Sequence, residues 1–332
     1  VAVQDRVEVA VDGTLGRLLV NPDAQERAGI VAHAARLQAE RSAFDDMAHR
    51  PARTADGVPI RVLLNIADQA ELAQLDPALC DGIGLVRTEL MFHGPGGLPD
   101  EDRQFAAYRA ILAWAAGRPV TIRSLDAGGD KPIPGFTPDG ESNPFLGLRG
   151  IRLSLARPDV LMVQFRALAR AAVHGKLKVM LPMVTVPGEL QAARRILDDA
   201  VAALAAEGVA HQRPPLGIMV EVPATALSIA AFDAAFFSIG SNDLTQYVTA
   251  SARDIAAVAR LADPANPAVL RLIAEVVGHG AASGREVAVC GDMAGDPAYT
   301  AALLAAGVEA LSMAPNCVGA VKAAIARLRR QP

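Results

Sequence analysis

The chain has 332 residues, 52% of them hydrophobic but only 4% aromatic, and carries a formal net charge of −4. That length suits one large α/β barrel or two ordinary domains. A slightly acidic chain with scattered Lys and Arg excludes a basic nucleic-acid surface, and no apolar run approaches the roughly 18 residues of a membrane span.

The first predicted element is a hairpin: Val7-Glu8-Val9-Ala10-Val11, a turn at Asp12-Gly13, then Arg17-Leu18-Leu19-Val20. Asn21-Pro22-Asp23 then starts a long, largely polar helix over about 24–49. We read residues 1–57 as the tail of a preceding domain plus a connector helix, and 58–332 as the main domain. From residue 60, short apolar runs alternate with Ala-rich amphipathic stretches, the mark of βα units. Strands are predicted over 61–67, 82–88, 120–126, 178–184, 217–222, 236–240, 286–290 and 310–313. Eight such units predict a closed (β/α)8 TIM barrel, with its chemistry at the C-terminal strand ends.

Those ends carry polar groups. The second closes with Arg87-Thr88-Glu89, the third with Arg123-Ser124-Leu125-Asp126 and the fifth with Glu221. The sixth closes with Asn242-Asp243 and the seventh with Cys290-Gly291-Asp292. Neighbouring strands lie about 4.8 Å apart, so Glu221 and Asp243 can share one Mg2+ or Mn2+ through oxygen. The plainer reading of Glu221 is a buried ion-pair partner for an arginine. Arg87, Arg123, Arg149 and Arg253 offer planar donor forks that suit phosphate and carboxylate. Arg87 and Arg123 directly follow apolar strands, which argues against solvated surface charges. The Gly128-Gly129-Asp130-Lys131 loop brings Lys131 over a phosphate or is a plain turn. Asn242 offers an amide donor to an anion. Cys290 is placed to pass a proton to or from an enolate, whereas Cys80 and Cys317 read as packing residues. Three widely spaced cysteines and no apolar leader predict a reducing, cytoplasmic setting.

Taken together, Gly82-Ile83-Gly84-Leu85-Val86-Arg87-Thr88-Glu89, Gly128-Gly129-Asp130-Lys131, Asn143-Pro144-Phe145-Leu146-Gly147-Leu148-Arg149, Gly217-Ile218-Met219-Val220-Glu221-Val222-Pro223-Ala224, Ser241-Asn242-Asp243 and Cys290-Gly291-Asp292-Met293-Ala294-Gly295-Asp296 form a specific series. It resembles the phosphoenolpyruvate-binding domain of enzyme I, the phosphoenolpyruvate–protein phosphotransferase of the bacterial sugar phosphotransferase system, or the equivalent domain of a multiphosphoryl transfer protein. The resemblance implies a barrel that binds phosphoenolpyruvate with Mg2+ and forms a homodimer. It makes Glu221 and Asp243 the metal ligands, and Arg87, Arg123, Asn242 and Arg253 the phosphoenolpyruvate contacts, with Asp243 also lining that site. Lys131 and Arg149 match further active-site positions, and Cys290 matches the proton donor that turns the enolate into pyruvate. Ala252 stands where the family usually has an acidic residue, and Asp292 where it commonly has Glu. The family's acceptor histidine lies in a separate N-terminal domain that passes the phosphoryl group to an HPr-like phosphocarrier. Its Gly-Gly-x-Thr-Ser-His pattern does not occur in this sequence. A fragment of a pyruvate phosphate dikinase or phosphoenolpyruvate synthase, a Mg2+-dependent carbon–carbon lyase and a non-catalytic phosphoenolpyruvate sensor remain alternatives.

Overall fold

The computed structural model describes residues 7–12, 16–67, 69–92, 98–252 and 254–329. Strands β1 (Val9–Asp12) and β2 (Arg17–Val20) pair antiparallel as the predicted hairpin. Helix α1 (Ala24–Ala48) follows, started by Asp23, whose carboxylate accepts from the amides of Gln25 and Glu26 while Glu26 reaches back to the Asp23 amide.

Eight parallel strands then close into a barrel: β3 (Arg61–Ile66), β4 (Ile83–Val86), β5 (Val120–Arg123), β6 (Leu177–Leu181), β7 (Leu216–Val220), β8 (Phe237–Gly240), β9 (Val287–Cys290) and β10 (Ala310–Met313). Closure comes from β10 pairing β3, with Ala310 opposite Arg61. Both faces of these strands are covered, so they read as continuous apolar runs rather than as alternation. Around them lie α2 (Glu101–Ala115), α3 (Ile151–Ala156), α4 (Pro158–Ala171), α5 (Pro187–Ala206), α6 (Pro223–Leu227), α7 (Ser241–Thr249), α8 (Ala256–Ala259), α9 (Pro267–Ser283), α10 (Asp292–Gly295), α11 (Pro297–Ala305) and α12 (Val318–Arg327). One aliphatic core between strands and helices holds Val62, Leu64, Ile122, Leu168, Ile218 and Val321. Each such side chain contributes about 1.5–3 kcal/mol by leaving water.

The barrel floor is polar. Glu286 accepts from Arg61 at 2.8 Å and from Lys178 at 2.9 Å, and Lys178 also stands over the Phe236 ring. Gly217 leaves the space that this ring fills. On the outside, α1 packs on α12 where Gly319 admits the Phe44 carbonyl, which any larger residue would strike. The Lys322 ammonium caps the end of α1 by donating to the carbonyls of Ala48 (2.6 Å) and Leu79 (2.8 Å).

The first five predicted strands run too long at their C-terminal ends: the ladder of β4 stops at Val86 and that of β5 at Arg123. The last three end where predicted, β8 at Gly240. Asn242 and Asp243 therefore lie not on a strand but in the first turn of α7, which begins at Ser241 without an intervening loop. Asp292 likewise opens α10. No described helix is long and apolar enough to cross a membrane.

Candidate active site

A cavity of about 260 Å³ opens at the C-terminal mouth of the barrel. Arg87, Arg123, Lys131, Glu221, Asn242, Asp243 and Cys290 all line it, with Leu85, Met219 and the backbone of Gly240 and Gly291 as walls. Arg149 does not line it. Its guanidinium lies fully buried behind the wall, bridging Asp126 (3.3 Å) and Asp243 (2.9 Å) and donating to the Tyr247 hydroxyl. Arg253 lies outside the described residues.

The end of β5 is held by buried polar contacts. Glu89 accepts from the Arg123 guanidinium at 2.9 Å and from the Asp126 amide at 3.1 Å. Gln164, from α4, accepts from the Leu125 amide and donates to Thr88 and Tyr108. The tight turn after β5 pairs Gly128 with Lys131 through two backbone hydrogen bonds, with φ of 103° at Gly128. A Cβ there would press on the Arg149 backbone. The turn sends the Lys131 ammonium back to Asp126 at 2.7 Å.

Charge in this region is paired tightly. Burial alone would raise the Asp126 pKa, but Arg123, Lys131 and Arg149 hold it well below the carboxylate range. Glu221 goes the other way. Burial, together with the nearby Asp243 and Asp126 carboxylates, pushes its pKa well up, and Arg123 and Arg149 only partly offset this. Burial also raises the Cys290 thiol, which keeps its proton at neutral pH. Its sulfur accepts from the Ser238 hydroxyl at 3.2 Å. Two arginine donors have no protein partner among the described residues: the guanidinium of Arg87, a cavity-lining residue, and the Nε of Arg123, which is buried out of reach of solvent.

Glu221 and Asp243 fit a hard divalent cation. They are like-charged oxygen donors beside an open cavity, and a cation between them would relieve the repulsion that raises Glu221. The Met183 amide already fixes one Glu221 oxygen at 2.6 Å. No cluster of three or more metal-ligating side chains occurs among the described residues. Water and ligand oxygens would have to complete the shell, as is usual for Mg2+.

The model of the PEP-utilising enzyme family, PEP-binding domain, matches residues 41–330. The chain belongs to this family, as its phosphoenolpyruvate (PEP)-binding domain. It is 45% identical to a phosphoenolpyruvate-protein phosphotransferase of Haloferax volcanii over 98% of this chain and 57% of that protein. It is 40% identical to one from Geobacillus stearothermophilus over 97% of this chain and 56% of that protein. A multiphosphoryl transfer protein of Xanthomonas campestris pv. campestris is 42% identical over 97% of this chain and 38% of its own length. The chain thus spans about half the length of the phosphotransferases it matches.

Within this PEP-binding domain, three buried residues that sequence reasoning did not single out hold the site together. Glu89 clamps Arg123, Asp126 gathers Arg123, Lys131 and Arg149, and Ser238 meets Cys290. Glu89 and Asp126 had a signal: a carboxylate two or three residues after an arginine at a strand end. Ser238 had one only in its alternation along β8.

Proposed function

We propose that the domain binds phosphoenolpyruvate with Mg2+, Mn2+ being the alternative metal, and supports phosphoryl transfer to a histidine on a separate domain, with release of pyruvate. One observation carries the reading. An unpartnered arginine, a repelling carboxylate pair and a protonated thiol converge on one small cavity.

Arg87 is poised to bind phosphoryl oxygens, and Arg123, held by Glu89 and Asp126, adds a fixed positive charge at the cavity wall, where fixed donors and charges stabilise the transferring group. Lys131 and Asn242 add donors at the rim, and Arg253 is assigned the same task from its sequence match. Arg149 acts from behind by holding Asp243 in place. Mg2+, held by Glu221 and Asp243, would supply charge stabilisation to the phosphoryl oxygens. As the phosphorus–oxygen bond breaks, the phosphoryl group bonds to the histidine nitrogen and leaves the pyruvate enolate. The Cys290 thiol then gives its proton to the enolate methylene carbon, and solvent restores the thiol.

The names of the relatives, phosphoenolpyruvate-protein phosphotransferase and multiphosphoryl transfer protein, support phosphoryl transfer from phosphoenolpyruvate to a protein; the acceptor histidine in an N-terminal domain, an HPr-like phosphocarrier beyond it and a cytoplasmic setting belong to the same proposal. A homodimer through this domain belongs to the same proposal.

Calorimetric titration of the chain with phosphoenolpyruvate tests the reading. Binding is expected with Mg2+, at least about tenfold weaker after chelation, and absent in Arg123→Ala. Equal affinity in that variant would remove the site assignment.

A further inference from the structure

Asn242 carries an amide, which presents a donor on one side and an acceptor on the other. An amide that serves an anion must turn its oxygen away. At this cavity the orientation is fixed by Asp292, at the start of α10 just after β9. The Asn242 Oδ1 accepts from the Asp292 backbone amide at 3.0 Å, and the Asn242 Nδ2 donates to the Asp292 Oδ2 at 3.1 Å. The backbone amide can only donate and the carboxylate can only accept. A flipped Asn242 would set donor against donor and acceptor against acceptor, so one orientation alone survives. The second Nδ2 hydrogen is left over, on a residue that lines the cavity.

The backbone is shaped for this clamp. Gly291 has φ of 126°, a region that other residues rarely adopt, and a Cβ there would collide with the Ser241 hydroxyl and stand 3.0 Å from the Asn242 Oδ1. Glycine therefore lets the chain turn directly after Cys290 and aim the Asp292 amide at Asn242.

We propose that Asp292 is a positioning residue that locks the Asn242 amide with its donor toward the ligand, Gly291 providing the approach. The assignment rests on the phosphoenolpyruvate reading above. It explains why an exposed carboxylate is kept at the rim of a cavity meant for an anion, where charge alone would weaken binding.

The two effects of Asp292 have opposite signs, so variants separate them. Phosphoenolpyruvate is titrated with Mg2+ into the full chain carrying Asp292→Ala or Asp292→Asn. Asp292→Ala keeps the backbone N–H that holds the Asn242 Oδ1 but loses the acceptor for Nδ2, and is expected to bind about 3- to 10-fold more weakly than the parent, the worth of one hydrogen bond. Asp292→Asn keeps an acceptor for Asn242 and drops the charge, so it is expected to restore the affinity lost in Asp292→Ala. The Asn242 side-chain amide resonances, assigned by their loss in Asn242→Ala, should shift in Asp292→Ala far more than in Asp292→Asn. If both variants tighten binding alike and the resonances stay put, Asp292 is only a repelling charge and the proposal is wrong. Failure of the parent chain to bind phosphoenolpyruvate would overturn the ligand reading and this proposal with it.

Discussion

Arg149→Met is the sharpest test of how the site is held. The side chain is fully buried, and its guanidinium makes four hydrogen bonds of 2.9 to 3.3 Å to two carboxylates, Asp126 and Asp243. Met fills much of the same volume but offers no donor. Asp126 keeps Arg123 and Lys131, whereas Asp243 loses both of its bonds to Arg149. Removing one partner of a buried ion pair costs about 3–5 kcal/mol, because the remaining charge stays desolvated. For a chain of this size that is a fall in melting temperature of about 4–7 °C. Arg149→Lys should recover only part of it, since an ammonium is a point donor and cannot bridge two carboxylates as a fork does. Thermal unfolding by circular dichroism measures both. In a double-mutant cycle with Asp243→Asn, the two losses should be less than additive by about 1 kcal/mol or more. A loss in Arg149→Met under about 1 kcal/mol, or strict additivity in the cycle, would mean the bridge does not carry this energy.

Glu221→Gln keeps an oxygen for the Met183 amide but removes a carboxyl that burial and the Asp243 and Asp126 charges hold against ionising, a cost to folding at neutral pH. It should raise the melting temperature in chelator while abolishing any Mg2+ dependence of phosphoenolpyruvate binding in calorimetry. Cys290→Ala should leave phosphoenolpyruvate affinity within about threefold, since the thiol is assigned a proton rather than a contact. Pyruvate release, followed by a coupled dehydrogenase assay with a phosphohistidine domain supplied in trans, should fall sharply. At the barrel floor, burial opposes the Glu286 charge, but Lys178 and Arg61 outweigh it and lower the folded pKa. Its stabilisation is therefore present above the unfolded pKa and lost as pH falls through the folded one. Glu286→Gln should lose less stability than the parent between pH 6 and pH 3 in thermal melts.

The barrel was legible because its strands are short, apolar and separated by helical stretches, and because charged residues fall at their ends. The C-terminal limits of the first five strands were not. At Val86 and Arg123 the backbone leaves the ladder before the predicted strands end, and no apolar pattern marks the place. The cavity-lining residues Arg87, Arg123, Lys131, Glu221, Asn242, Asp243 and Cys290 were all visible in order along the chain. Arg149 was visible too, but not its direction. Only the packed structure shows it turned from the cavity onto Asp126 and Asp243. The clamp between Asn242 and Asp292 was hidden for another reason. It joins residues 50 positions apart, and its geometry depends on one glycine dihedral.

The charge pattern explains why so many arginines do not make a basic cavity. Arg87, Arg123, Lys131 and Arg149 stand among Glu89, Asp126, Glu221 and Asp243, with the carboxylates of Asp130 and Asp292 at the rim. The region therefore has no formal excess of positive charge to draw in a multiply charged anion. Most of the arginine charge is spent internally, fixing carboxylates whose own positions matter for a cation. Among the described residues, what is left for a ligand is directional: the Arg87 fork, the remaining hydrogens of the Lys131 ammonium and one amide hydrogen of Asn242. Such a site discriminates by geometry rather than by field strength. Its deficit of positive charge falls next to Glu221 and Asp243, where a divalent cation would stand, so cation and anion each improve the site for the other.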